Sequence, residues 1–260
     1  MTLPQSLMSS VILLFLSVLS FHNPVGQAQT VRARSADDRV LIQRRRIVLV
    51  RSRELAKEFP HKKTAVVTYP IVRGLRSPAV LRRVRTALEF KNIFDYSLDE
   101  YRDDTWLSEF SYTVNYNQNY MLDITFEQSG SAAYPDDQSK HFLLNLKDGS
   151  VMKATDVFEA GKLRSLAAMV DRKLQAEIRQ IAKDNGEGAD SAHEGLKFEV
   201  QHLDDFSVGP KGVTFLYDAG FPHVIQALEP TGRYFFSYRT LRDYIKSDGL
   251  LGRFKVGPRI

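Results

Sequence analysis

Phe110-Ser111-Tyr112-Thr113-Val114-Asn115-Tyr116, then Asn117-Gln118-Asn119, then Tyr120-Met121-Leu122-Asp123-Ile124-Thr125-Phe126, decides how this chain folds. Large apolar residues stand at every second place on both sides of an Asn-rich centre. Successive side chains of a strand point to opposite faces, so a period of two marks a half-buried strand. Asn tolerates positive φ, which makes 117–119 the turn. The stretch is expected to form an antiparallel hairpin with one aromatic, buried face.

Outward from the hairpin the pattern changes period several times. After a polar loop at 128–139, Phe142, Leu144 and Leu146 predict a third strand, and Lys147-Asp148-Gly149 turns it into a short fourth. Upstream, the β-branched run Thr64–Tyr69 stops at Pro70 and reads as a strand. Ile47–Val50 is a further strand candidate, and 52–59 and 97–107 suggest short helices. Ser77-Pro78 opens a helix, with Ser as cap and Pro at the first position, and Val80, Val84, Ala87 and Leu88 on one face. Downstream, Leu163, Leu166, Val170, Leu174, Ile178 and Ile181 recur at three- and four-residue steps and predict a helix over 160–184, ended at Asn185-Gly186. A second β region follows, with a turn at Gly209–Gly212, Val213, Phe215 and Tyr217 alternating, then Tyr234, Phe236 and Tyr238. A short helix is expected over 240–246 and a loose tail over 248–260.

Elements arrive in blocks, with hairpins rather than strict strand–helix–strand alternation. The expected class is α+β, a mainly antiparallel sheet of hairpins packed on two or three helices, with room for two sub-domains. The chain has 260 residues, 43% of them hydrophobic, with 16 Phe and 11 Tyr, enough to build a substantial core. There is no Cys, which excludes disulfides, thiol catalysis and a lipid-attachment cysteine.

Residues 11–19 are an apolar run the length of a signal-peptide core and too short to span about 30 Å of hydrocarbon. Gly26 and Ala28 supply a small-residue cleavage site, so residues 1–28 read as a signal peptide cut near Ala28 and the protein as extracytoplasmic, periplasmic or secreted. The alternatives are an uncleaved tether and a buried N-terminal helix. The net charge of +5 is concentrated in a basic lead-in at 29–63, where residues 31–63 hold eleven Lys/Arg against four Asp/Glu. Such a segment can lie on an anionic envelope surface or simply remain solvated. A nucleic-acid partner is not expected.

Catalytic motifs are missing from the sequence. The histidines after the signal, His61, His141, His193, His202 and His223, make no helical zinc pair. There is no Gly-x-Ser-x-Gly elbow, and Gly209-Pro210-Lys211-Gly212 lacks the Ser or Thr of a phosphate loop. No catalytic residue, cofactor or metal is assigned. The carboxylate pairs Asp103-Asp104 and Asp204-Asp205 read as helix ends and turns. Asp136-Asp137 follows Tyr134-Pro135 in the long loop, where an aromatic beside acidic groups suits contact with a sugar or a basic protein. Phe221, His223 and Tyr234 flank another loop and form a second candidate rim. The candidate ligand-binding residues are Tyr134, Asp136, Asp137 and His223.

A family resemblance rests on several short stretches. These are Val66-Val67-Thr68-Tyr69-Pro70-Ile71-Val72-Arg73-Gly74-Leu75 before a helix, Phe110-Ser111-Tyr112-Thr113-Val114 with its hairpin, and Asn145-Leu146-Lys147-Asp148-Gly149 with Asp156-Val157-Phe158. Phe206-Ser207-Val208, Gly212-Val213-Thr214-Phe215 and Tyr234-Phe235-Phe236-Ser237-Tyr238 leading into Leu241-Arg242-Asp243-Tyr244-Ile245 continue the series. In this order and spacing they resemble the extracytoplasmic domain shared by the anti-sigma factor RsiV and the peptidoglycan deacetylase PdaC. The likeness spans roughly 64–246, with an N-terminal half at 64–158, a C-terminal half at 159–246 and a tail at 247–260. Where members carry a Gly-Ala-His-Pro-like stretch, this chain has Ala132-Ala133-Tyr134-Pro135. The resemblance implies a non-catalytic binding or sensing module of the envelope, with a cell-envelope glycan or a lysozyme-like protein as partner. The alternative it carries is an enzyme, or an enzyme's accessory, acting on peptidoglycan glycans.

Overall fold

A computed structural model describes residues 38–132, 134–186 and 189–255. The signal peptide with its cut near Ala28, the first part of the lead-in and residues 256–260 of the tail lie outside the described residues. The fold is α+β. The first sheet runs in sequence order through β1 (Leu41–Val50), β2 (Thr64–Arg73), β3 (Leu107–Gln118), β4 (Met121–Ser131) and β5 (Pro135–Asn145). All neighbours are antiparallel except β2 and β3, which pair parallel at Val66↔Glu109 and Val67↔Phe110.

A parallel pair needs a long crossover. Here it holds three helices, α2 (Pro78–Ala87), α3 (Phe90–Phe94) and α4 (Leu98–Asp103), while α1 (Arg53–Glu58) joins β1 to β2. The starts follow the sequence. Ser77 caps α2 by accepting from Val80 N–H ahead of Pro78, and Ser97 and Glu100 close a capping box on α4. These helices cover one face of the sheet and bury Val84, Leu88, Ile93 and Tyr101 against Val67, Phe110, Ile124, Phe126 and Leu144. Phe110 is the hub, 4.5 Å from the Phe90 ring and 5.8 Å from Phe126.

The decisive hairpin forms, with two corrections. Its turn is Asn119-Tyr120, at φ 58° and 62°, and the strand runs on to Gln118. A two-residue turn with both central φ positive matches the natural strand twist. Tyr120 N–H donates to Asp38 O at 2.7 Å, and Tyr120 O accepts from Leu146 N–H at 2.7 Å. The aromatic face is also not continuous. Val114 pairs with Ile124 but Tyr116 pairs with Asp123, so Asn115 is an extra residue. This bulge turns Tyr116 to the opposite face, where it joins a second core.

The second core belongs to the rest of the chain. β6 (Phe206–Val208), β7 (Gly212–Leu216) and β8 (Arg233–Ser237) form a three-stranded antiparallel sheet. The short α5 (Ala154–Val157) leads to α6 (Leu163–Asn185), which buries Leu166, Ala167, Val170, Leu174 and Ile178. That face meets Phe198, Phe206, Phe215, Tyr234 and Phe236, together with Tyr116, Met121 and Leu143 from the first sheet. Among the described residues, the brief α7 (Ala189–Ala192) and α8 (Tyr238–Leu241) complete the α-helices.

Four further stretches differ from the sequence reading. Residues 41–50 of the basic lead-in are a sheet strand, and the following Arg51 is buried, donating to Leu107 O at 2.6 Å and to Tyr101 O. Burial holds that guanidinium's pKa below its usual value. Most of the loop at 128–139 is the end of β4 and the start of β5. The tail is packed as far as residue 255, with Leu251 buried and the Phe254 ring stacked on Tyr238 at 4.1 Å. The short fourth strand shrinks to a single bridge, Leu144↔Val151. Among the described residues, no helix is long and apolar enough to cross a membrane.

Candidate functional site

Among the described residues, the first sheet's far face, away from α2–α4, is covered at the hairpin-turn end, where Tyr116, Met121 and Leu143 join the second core. Strand register arranges the other end in rows, Glu109–Ser129–Asp137, Ser111–Glu127–Ser139 and Thr113–Thr125–His141. These rows contain no large apolar side chain, so the surface gains nothing by being buried. It instead forms one wall of a cleft of about 1230 Å³. The end of β7 and the segment leading into β8 form the opposite wall, with Tyr217, Asp218, Phe221, Glu229 and Arg233. The cleft also passes around β5 to Asp136 and to Asp95, the residue after α3. At Gly232, where φ is +64°, an added Cβ would lie 2.0 Å from Tyr217 O, so the chain can return to β8 this closely only through glycine.

Charge distinguishes this cleft. Asp95, Glu109, Glu127, Asp136, Asp137, Asp205, Asp218 and Glu229 line it, against Lys140, Arg233 and His141. The whole chain carries +5, so the cleft is opposite in sign to the molecule around it.

His141 sits where the covered and open parts of the face meet. Its Nε2 donates to Asp123 Oδ1 at 2.9 Å and its Nδ1 to Asp205 Oδ1 at 3.0 Å. The imidazole side chain is 7% exposed, Asp123 0% and Asp205 58%. Asp123 also accepts from Asn115 Nδ2 at 2.7 Å and from Val208 N–H at 2.6 Å. One carboxylate thus ties β3, β4, β5 and β6 together. Burial on its own depresses the His141 pKa, but the hydrogen bonds to Asp123 and Asp205 and their charges outweigh it and push it up to about 9.

The folded chain binds the His141 proton more tightly than the unfolded chain, whose value is 6.5. The stabilisation is complete below about pH 6.5 and is lost as pH rises through about 9. It is expected to be on the order of 3 kcal/mol. Urea titrations of the wild type and His141→Gln between pH 6 and 10 should converge at the alkaline end. A constant gap would exclude the ion pair as its source.

Of the four sequence candidates, Asp136 and Asp137 line the cleft, while Tyr134, 70% exposed in the β4–β5 turn, stacks on His223 at 5.8 Å, each two positions along the chain from a lining residue. Asp136 and Asp137 lie on β5 rather than in a long loop, with Asp136 Oδ2 accepting from Gln138 Nε2 at 3.2 Å. Phe221 lines the cleft beside His193. Tyr234 is not at the rim but in the second core, donating to Glu177 Oε2 at 3.0 Å, and burial pushes its hydroxyl pKa up. Asp204 caps a backbone amide, Ala154 N–H, at 2.9 Å. Sequence reasoning missed Asp95, Asp123, Glu109, Glu127 and the pairing of His141 with Asp205. Asp123, a carboxylate between Leu122 and Ile124, was the one visible signal. Among the described residues, no group of three or more His, Asp or Glu is placed to hold a metal ion.

No family model matches the sequence, and no curated protein matches it. Among solved structures, a DUF3298 family protein from Pseudomonas aeruginosa superposes with a TM-score of 0.53. That alignment covers 82% of this chain and 96% of that one, at 11% identity. A DUF3298 family member from Bacteroides fragilis aligns over 85% and 99% of the two chains at 15% identity, with a TM-score of 0.49. At 11% identity, the likeness to the Pseudomonas aeruginosa protein is one of fold.

Proposed function

We propose that this chain, with the fold of a DUF3298 family protein, is an exported, non-catalytic binding module of the cell envelope that holds a basic, muramidase-like protein in its acidic cleft. The observation that carries this reading is the open cleft of about 1230 Å³, with eight carboxylates against Lys140 and Arg233. Small-molecule sites are mostly apolar and run to roughly 300–1,000 Å³. A larger, polar cleft with an aromatic pair at its mouth suits a macromolecule instead. Tyr134 and His223 supply the anchor and the carboxylates steer a cationic partner. The sequence resemblance to the RsiV/PdaC-type domain supports the same assignment. His141 supports a non-catalytic role, because both ring nitrogens are engaged by carboxylates and neither is left to accept a substrate proton.

Binding of the exported chain to a lysozyme should weaken about ten-fold or more for Tyr134→Ala, and similarly for Asp136→Asn combined with Asp137→Asn. Unchanged binding in both variants would remove the cleft mouth from the site. Isolated peptidoglycan serves as the competing ligand. The exposed Arg44, Arg45 and Arg46 on β1 favour an anionic surface contact there, and with it the second reading, an accessory of glycan-modifying enzymes. Time-dependent release of acetate or reducing sugar by the protein would overturn the non-enzyme reading. For export, N-terminal sequencing of protein from the periplasm or medium should begin near Gln29.

A further inference from the structure

We infer that an extended, Lys/Arg-rich segment of a partner protein adds to the free edge of β5 as an extra strand. This rests on the cleft being the binding site and specifies how the cleft is filled. Among the described residues, β5 is the last strand of its sheet, and β4 is its one strand partner. Beyond its C-terminal half the next strand position has begun to fill. Asn145 N–H donates to Ser150 O at 2.9 Å, and Met152 N–H donates to Leu143 O at 2.8 Å. These bonds show that the odd-numbered residues of β5 turn their backbone groups away from β4. The β4–β5 ladder is unbroken from Met121↔Asn145 to Ser131↔Pro135, so the N–H and C=O of Asp137, Ser139 and His141 point outward too. Among the described residues, no backbone group pairs with them.

This vacant edge opens into a groove. A smaller cleft of about 440 Å³ begins at Val151 and Met152 and shares His141, Asp205, Tyr217 and Asp218 with the large one. The two form one channel along β5, with the end of β7 as its far side. From Pro135 to His141 the edge offers about 20 Å, room for a strand of six or seven residues. Such edges normally pair with something or are blocked, and strand addition is an established way to bind a peptide.

Charge selects the occupant. Alternate side chains of an added strand point to the two faces of the sheet. On one face they meet Glu127 and Asp137, on the other Asp95 and Asp136. Cationic residues are therefore met on both faces. A second copy of β5 would bring further carboxylates into an already acidic cleft, and an anionic glycan would meet the same repulsion.

The test uses the exported chain and an eight-residue peptide of Lys-Lys-Val-Val repeats, which places Lys on both faces of an added strand. Binding should be accompanied by slowed amide exchange at Asp137, Ser139 and His141. N-methylation of alternate peptide residues, which blocks one backbone edge, should weaken it at least ten-fold. Ser139→Pro removes only an outward N–H, at a position where an edge strand tolerates Pro, and should weaken it similarly. A Glu-Val peptide should not bind. Peptide binding unaffected by N-methylation and by Ser139→Pro would overturn strand addition. Lysozyme binding that survives Ser139→Pro but not Asp136→Asn with Asp137→Asn would overturn it while leaving the acidic cleft as the site. Binding of neither lysozyme nor the Lys-Val peptide would reject the cleft itself.

Discussion

Asp123→Ala should lower the stability of the chain by about 3–5 kcal/mol, the range for breaking a fully buried ion pair from one side. Asp123 is 0% exposed and accepts from His141, Asn115 and Val208. Without it, the Val208 amide and one His141 N–H are left buried and unpaired, and the imidazolium keeps only Asp205. Asp205→Ala is the contrasting variant, because that carboxylate is 58% exposed and shares its charge with water. Its loss should cost less than about 1 kcal/mol. The measurement is the urea midpoint at pH 7, with the slope unchanged. Equal losses for both variants would mean that burial does not set the strength of the pair.

Leu174→Ala should cost about 2–5 kcal/mol, the cost of a cavity at a fully buried leucine. Leu174 stands in the middle of the α6 face, 0% exposed, between Val170 and Ile178. Ile181 is on the same helix but only partly buried, and its truncation should cost less. A Leu174→Ala loss well under about 1 kcal/mol would mean that α6 does not pack on the β6–β8 sheet through this face.

Those two variants fall on opposite sides of what sequence alone can reveal. The α6 stripe was legible because one helix face meets one core, and a single period then describes it. The hairpin was legible for the same reason as far as Val114. Beyond that, Asn115 inserts into the ladder and Tyr116 changes cores, a shift that alternation cannot encode because it depends on the partner strand. β1 was half hidden because Arg44, Arg45 and Arg46 lie on an exposed edge, where no apolar partner imposes a pattern. The start of β5 was hidden because its neighbours form an open polar cleft, so Pro135 to Ser139 read as loop. Tyr134, Asp136 and His223 were noticed by residue type and loop context. The His141 site was not, since Asp123 and Asp205 lie 18 and 64 positions away along the chain.

Strand order in both sheets follows chain order, β1 to β5 and then β6 to β8. As the chain lengthens from its N-terminus, every strand can dock beside one already made, and none must wedge between two earlier neighbours. Pairings of this kind close early and leave few exposed edges waiting for late partners. Asp123 is the exception. It belongs to the fourth strand to emerge, yet its Val208 donor comes 85 residues later. Until then the carboxylate lacks the Val208 amide, and its full burial waits for β6 to dock.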